Sequence, residues 1–287
     1  MKNLFTLIFI FTCFNSFTQK KILDHSDFDI WNRIQSPQIA ADGNNLLYSI
    51  QTGEKDSKLI IKDKQGNLIF KHDRSENGVF TYDSKFTVFK IKAWKDSITE
   101  MKRRKVKKDK MPLDSLGIFN IDKLTLQKIS NIKSYKIPEK WSGFIAYTYE
   151  ILSGQKEKKN QDSEVSVKNK SSKKLKKPSS KNGYPLVIRN LDSSVEDTIP
   201  YVTNYTFSKK SESLAYTTTG IKDSIQAGVY IKNLKSNSIK HVYSSHDKAK
   251  YYKLSLSDSG KNLAFVVDAD STKSYNRPYE LYSWNFK

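Results

Sequence analysis

The most constraining feature of this sequence is a short unit that occurs five times along the chain. In its clearest copy, at residues 204–216, a strand-like segment precedes a polar turn and a second segment that ends in an apolar triplet. The same pattern lies at 37–48, 79–89, 135–147 and 252–265. Successive copies are separated by roughly 40 to 70 residues, a spacing typical of repeat architectures in which each unit packs against its neighbours.

Each copy is followed by a second pair of strand-like segments. Four pairs lie at 58–70, 116–129, 186–197 and 228–241, and residues 280–285 begin a fifth. A complete unit therefore has four short antiparallel strands, which is the composition of a β-propeller blade. We predict an all-β fold, a partial and open β-propeller with about four complete blades and a fifth blade that lacks its outer strand.

The side-chain pattern inside these segments also favours strands. Val229 and Ile231 alternate with Tyr230 and Lys232, so the two pairs are expected on opposite faces of a sheet. A helical period is suggested in the entry segment, residues 26–34.

Variation in length is concentrated in the link between the second and third strands of a unit. This link is long in the second and third units, where it forms basic insertions at about 95–110 and 154–182. In an up-and-down blade these links emerge on one face, so both insertions are expected side by side. Their composition predicts poor order, because few apolar side chains are available to offset the entropy of folding.

The two insertions also hold most of the positive charge. The chain has 287 residues and a net charge of +20, of which the insertions carry +5 and +7. A basic run at 102–108 could neutralise phosphates, but no aromatic residue is interleaved to stack on bases. Specific nucleic-acid binding is therefore not predicted, and binding of a polyanion by these loops stays a third alternative.

The first 18 residues have the pattern of a secretory signal peptide. Lys2 precedes the apolar run 4–11, which is too short to span a bilayer, and small residues follow at 16–18. We therefore predict an exported protein, periplasmic or extracellular, with a propeller domain at 22–287 and no membrane attachment after cleavage. Cys13 is the single cysteine, so the mature chain is expected to have no disulfide.

No motif in the sequence supports catalysis by this chain. The pentapeptide G-x-S-x-G of serine hydrolases is absent, as are the glycine patterns that cradle phosphates. The histidines are expected at the entry segment or in turns, and the acidic clusters 24–27 and 268–271 are interpreted as turns rather than Ca²⁺ sites. We predict no catalytic, cofactor-binding or metal-binding residue. The four histidines are His25, His72, His241 and His246.

Three segments carry a resemblance to a known family. Residues 29–48, 80–92 and 111–118 resemble the N-terminal β-propeller of exported prolyl oligopeptidase-like (S9 family) serine peptidases of Bacteroidetes type, and the likeness covers essentially the whole mature chain. The resemblance implies a propeller followed by an α/β-hydrolase domain with a catalytic Ser, Asp and His. It also implies that the propeller controls the access of peptides, while cleavage takes place in the second domain.

The sequence departs from the family pattern because no position matches the catalytic motifs. We therefore expect a non-catalytic, gating portion of such a peptidase without the α/β-hydrolase domain, and no peptidase activity from these 287 residues. Such a chain would be a truncated product, one half of a split gene or a fragmentary gene model. The alternative is a free-standing periplasmic propeller of TolB type that binds proteins or peptides. The expected partners are peptide or protein ligands or the missing hydrolase domain, and no cofactor is expected.

Overall fold

The computed structural model describes residues 23–28, 30–150, 176–221, 224–246, 249–270, 272 and 275–286. In this part of the chain the regular structure is almost entirely β. There are two helices, α1 (His25–Phe28) and α2 (Lys95–Arg103), and a 3-10 turn at Lys108–Lys110. The strands are β1 (Asn32–Ile39), β2 (Asn45–Thr52), β3 (Lys58–Asp63), β4 (Leu68–Asp73), β5 (Ser75–Phe80), β6 (Phe86–Ile91), β7 (Ser115–Asn120), β8 (Thr125–Ile129), β9 (Ile132–Lys136), β10 (Phe144–Tyr149), β11 (Tyr184–Asn190), β12 (Glu196–Phe207), β13 (Ser213–Thr218), β14 (Gly228–Asn233), β15 (Ser238–Tyr243), β16 (Lys250–Leu256), β17 (Asn262–Asp268) and β18 (Glu280–Asn285).

Within each sheet, every strand pairs antiparallel with the strand that follows it in the chain, so each sheet is a simple meander. Strands β1–β4 form blade 1 and β5–β8 form blade 2. Strands β9–β15 form one sheet of seven strands, and β16–β18 form blade 5 with three strands. Among the described strands no pairing closes a sheet on itself. The predicted all-β, open propeller is confirmed.

Strand β12 accounts for the seven-stranded sheet, because it belongs to two blades at once. Its residues from Glu196 to Ile199 pair with β11 and those from Val202 to Phe207 pair with β13, while Val202 pairs on both sides, with Tyr184 and with Thr218. Tyr201 lies between the two halves in the left-handed backbone region, with φ of 55°. Thus β12 is the outer strand of blade 3 (β9–β12) and the inner strand of blade 4 (β12–β15).

The hydrophobic core consists of four clusters, each between two successive blades. Strands in the middle of the molecule are buried on both faces, as β10 shows: Ile145 packs toward blade 2 and the next residue, Ala146, toward blade 4. Among the described residues no cluster joins blade 5 to blade 1. Fully or nearly fully buried members are Leu47, Leu59, Phe89 and Phe119 between blades 1 and 2; Val88, Leu116, Ile145 and Val187 between blades 2 and 3; Ala146, Leu186, Leu214 and Tyr216 between blades 3 and 4; and Ala215, Val229, Leu263 and Phe265 between blades 4 and 5.

The predicted alternation in β14 is confirmed, with one addition. Val229 and Ile231 face blade 5, and Tyr230 packs on the cluster shared with blade 3. Lys232 lies on the face of Tyr230 as predicted, but it is buried rather than solvated. Its ammonium group is 2.6 Å from the carboxylate of Asp197 in β12.

The first insertion is more ordered than predicted, and that expectation was wrong. Residues 95–103 form α2, although no side chain of this helix is buried. Local interactions stabilise it: Glu100 forms ion pairs with Arg103 at 3.0 Å and with Arg104 at 2.8 Å. In the second insertion, 154–182, residues 154–175 lie outside the described part of the chain. None of the helices described has the length and apolarity needed to cross a bilayer.

Candidate functional site

One face of the molecule collects the links that differ most between blades. Because strands alternate in direction within a meander, the links between second and third strands emerge at the same end as the links between blades. We call this end the upper face; it includes residues 53–57, 92–114 and 176–183. Two cavities are lined by these links and by the first residues of inner strands. In the first insertion, Lys95 and Ile98 line one of these cavities together with Lys55 of the link in blade 1.

The first cavity lies between blades 1 and 2, has a volume of about 390 Å³ and contains both signs of charge. Lys92 is its central cation, 2.9 Å from Asp114 and 3.3 Å from Glu76. Partial burial disfavours the charged form, but the hydrogen bond to Asp114 and the two negative charges raise the pKa of Lys92 above its usual value. Residues of α2, among them Ile98, form one wall. We call this the mixed cavity, in which Lys92 already has its counter-ions.

The second cavity lies where blades 3, 4 and 5 meet and has a volume of about 490 Å³. Among the described residues, its charged lining residues are Lys181, Lys250 and Lys253, and none of the acidic side chains lines it. We call it the basic cavity. Hydroxyl groups and aromatic rings complete the lining, contributed by Thr203, Thr218, Thr219, Tyr251 and Tyr252.

Hydrogen bonds hold the wall of the basic cavity in place. The hydroxyl of Thr219 donates to the carbonyl of Asn182 at 2.6 Å, which ties blade 4 to the link that carries Lys181. The hydroxyl of Thr218 donates to the carbonyl of Pro200 at 3.0 Å. The cavity is therefore bounded by backbone that is fixed from two blades.

Bulges in the inner strands were not predicted from the sequence. In β1, β5 and β16 the register with the next strand shifts, and a residue other than glycine lies in the left-handed region: Ser36, Asn77 and Lys253. A bulge leaves a residue outside the ladder and re-aims its side chain, which is common beside functional sites. Gly78 follows Asn77 in the bulge of β5, whereas no glycine marks the bulges in β1 and β16, so the sequence gives no distinct signal for those two.

Two of the four histidines lie in strands. His72 lies in β4 and His241 in β15, so their predicted placement in turns was wrong. The Nδ1 atom of His72 is 2.7 Å from the hydroxyl of Ser75, a distance that a serine–histidine nucleophile would require. However, Ser75 is completely buried and cannot reach a substrate. Burial, together with the positive charge of Lys128, lowers the pKa of His72 below its usual value. His241 stacks on Tyr230, with ring centres 4.7 Å apart.

One residue of the acidic cluster at 268–271 forms a buried ion pair. Asp268 is almost fully buried, and its carboxylate lies 3.1 Å from the guanidinium of Arg277. In the part of the chain that the structure describes, no group of three or more His, Cys, Asp or Glu side chains is placed to hold a metal ion.

The fold is that of an open β-propeller domain, and two cavities lie on one face of it. No family model matches the sequence, and no curated protein matches it. Among solved structures, the chain is similar to the β-propeller domain of the Trilobed protease from Pyrococcus furiosus, with 11% identity and a TM-score of 0.45 over 89% of this chain and 69% of that one.

Two further similar structures come from other proteins. Pyrococcus horikoshii acylaminoacyl peptidase matches with 11% identity and a TM-score of 0.45, over 93% of this chain and 40% of that one. TolB from Acinetobacter baumannii matches with 11% identity and a TM-score of 0.37, over 88% of this chain and 52% of that one. The chain thus spans well under two thirds of these two proteins. At such identities and scores, the similarities do not establish a family or a function.

Proposed function

We propose that this chain is a non-catalytic propeller that binds polypeptides at its upper face and controls their access to a catalytic partner. The observation that carries the proposal is the concentration of both cavities, and of the polar groups that line them, on this one face. Ligand sites are concave and combine apolar walls with a few fixed polar groups, which both cavities provide.

A polypeptide fits the chemistry of this face. Its backbone needs hydrogen-bond partners, and threonine hydroxyls together with backbone groups at the bulges near Asn77 and Lys253 can supply them. Its charged side chains need counter-ions, which the lysines of the basic cavity can supply. A catalytic role is not proposed, because the Ser75–His72 pair is inaccessible to a substrate.

The catalytic partner proposed is an α/β-hydrolase domain of an S9-type serine peptidase. The support for this is the resemblance of residues 29–48, 80–92 and 111–118 to the propellers of such enzymes. We also propose, from the signal-like pattern of residues 1–18, that the chain acts in the periplasm or outside the cell.

A free-standing binding module of TolB type is the second candidate. It is favoured by the basic cavity, which combines charge, hydroxyls and aromatic rings within the described blades and needs no second domain to be complete. The two candidates differ in whether the chain changes the cleavage of peptides by a hydrolase domain.

The proposal is tested with the purified chain. Fluorescent peptides of ten to fifteen residues are titrated with it, and the same preparation is treated with a serine-directed phosphonate and assayed on proline-containing peptides. We expect peptide binding, no covalent label and no turnover. Labelling or turnover would refute the non-catalytic assignment, and absence of binding to every peptide would refute the binding role. An S9 hydrolase domain added in trans then separates the two candidates.

A further inference from the structure

We infer that the basic cavity selects acidic peptide segments, with Lys181, Lys250 and Lys253 as the groups that recognise carboxylates. This inference rests on the proposed peptide-binding function and adds a substrate class to it. It also assigns the selectivity to one of the two cavities.

The charge environment of these three lysines differs from that of Lys92. Within the residues that the structure describes, none of the three lysines forms an ion pair with a carboxylate, and no acidic side chain lines the cavity. In the mixed cavity, by contrast, Lys92 is paired with two carboxylates. Like charges brought together without partners repel each other, and an anionic ligand relieves that repulsion.

The lysines are held on ordered backbone from different elements. Lys181 lies in the tight turn 179–183, which Ser179 and Gly183 close with hydrogen bonds of 2.8 and 3.2 Å between their backbone groups. Lys250 is the first residue of β16, and Lys253 lies at the bulge of that strand, with φ of 52°. Because these backbone positions are fixed by pairing, binding requires ordering of side chains alone.

The remaining lining favours a peptide over a small inorganic anion. Tyr252 is partly exposed beside the lysines, and its ring lies edge-on to that of Tyr279 with centres 6.4 Å apart. Such a wall offers apolar contact to a side chain next to the acidic residues. The hydroxyl of Thr203, 2.8 Å from that of Thr217, adds a hydrogen-bonding group for a peptide backbone.

The experiment is a competition titration on the full chain. A fluorescent peptide rich in Glu and Tyr is compared with the same peptide in which every Glu is replaced by Gln, and inorganic phosphate serves as competitor. The test variant is K181Q/K250Q/K253Q. The matched control is K64Q/K123Q/K235Q, which removes the same charge from exposed lysines in turns at the opposite end of the blades.

We expect the acidic peptide to bind more tightly than its Gln counterpart, and the test variant to weaken it by about tenfold or more, since each exposed ion pair contributes a few-fold. The control variant should change affinity by less than about twofold, and added salt should weaken binding. Equal binding of both peptides, unchanged in the test variant, would overturn this inference while leaving peptide binding intact. Displacement by phosphate at equal concentration would overturn it in favour of a simple anion site. Failure of all peptides to bind would overturn both proposals.

Discussion

At the residue scale, single buried side chains fill the space between neighbouring blades. Phe89 is completely buried between blades 1 and 2 and lies against the ring of Phe70, with centres 5.9 Å apart. Gly117 in β7 makes room for it, because a Cβ atom at that position would lie 2.5 Å from the Phe89 ring. The Phe89 ring therefore fits in this space only because residue 117 on the neighbouring strand has no side chain.

The first prediction concerns this contact. We expect Phe89→Ala to destabilise the protein by about 3–5 kcal/mol, because it leaves a cavity in a closely packed interface. Tyr82→Ala, at an exposed position in a turn, should cost less than about 0.5 kcal/mol. Urea denaturation followed by circular dichroism measures both. Similar costs for the two variants would contradict the packing described.

The second prediction concerns the buried ion pair of Lys232 and Asp197. Asp197→Asn leaves a buried ammonium without its counter-ion, whereas Lys232→Met removes the charge and keeps a similar volume. We expect Asp197→Asn to be the more destabilising change, by about 1–3 kcal/mol relative to Lys232→Met. Chemical denaturation at neutral pH gives the order, and the reverse order would refute the role assigned to Asp197.

The third prediction follows from His72. Burial lowers its pKa in the folded state below the value of 6.5 that it has when exposed. The unfolded chain therefore takes up a proton first on acidification, so the stability linked to His72 is present above pH 6.5 and is lost as the pH falls through the folded-state pKa. Melting temperatures between pH 7.5 and 5 should fall less in His72→Gln than in the unmodified chain. A fall in melting temperature of the same size in the two proteins would contradict this prediction.

At the element scale, β12 couples two blades through one continuous backbone. Blades 3 and 4 share this strand and the cluster around Leu186 and Leu214, and each also packs on a further blade. Blades 1 and 5 each pack on one neighbour among the described residues. In repeat folds, stability is distributed through such neighbour contacts.

The fourth prediction uses this difference. We expect amide hydrogen exchange to be slowest in β10–β14 and faster in β1–β4 and β16–β18, because a unit with one neighbour opens at lower cost. Mass spectrometry of peptic fragments resolves these regions. Equal protection in β2 and β13 would show that the shared strand adds no local stability.

The same elements show what could be predicted from the sequence and what could not. The hairpins at 37–48 and 204–216 were predictable because alternating apolar residues surround polar turns. The continuity of β12 was not predicted, because the segment that ends at 197 and the repeat that begins at 204 have the patterns of two separate strands. Helix α2 was missed because its stability comes from pairs such as Glu100–Arg104 and not from a buried face. The basic cavity joins residues distant in sequence, so no local pattern could reveal it.

At the scale of the whole molecule, apolar side chains remain exposed on the two end blades. In blade 1, Ile34 and Ile39 are about two-thirds exposed, and in blade 5, Leu281 is about three-quarters exposed. Leu281 lies in β18, whose outer side has no partner strand among the described residues. An edge strand of this kind can pair with another chain.

The fifth prediction is that the chain self-associates through this edge. A charge on an edge strand opposes pairing, so Leu281→Lys should lower the weight-average mass measured by analytical ultracentrifugation at high protein concentration. Leu124→Lys, at a similarly exposed position in a turn of blade 2, serves as control and should not change it. A monomer at all concentrations in the unmodified chain would refute the prediction.

The shared strand β12 also determines where this chain could be divided and reassembled. A break between β8 and β9, or between β15 and β16, separates whole sheets, so two co-expressed fragments would each retain their strand pairing and could recombine through side-chain packing. A break in the turn 209–212 would instead leave the inner strand of blade 4 in one fragment and the other three strands of that blade in the second. Fragment complementation should therefore succeed at the first two sites and fail at the third, where the backbone pairing of β12 with β13 would have to form between two chains.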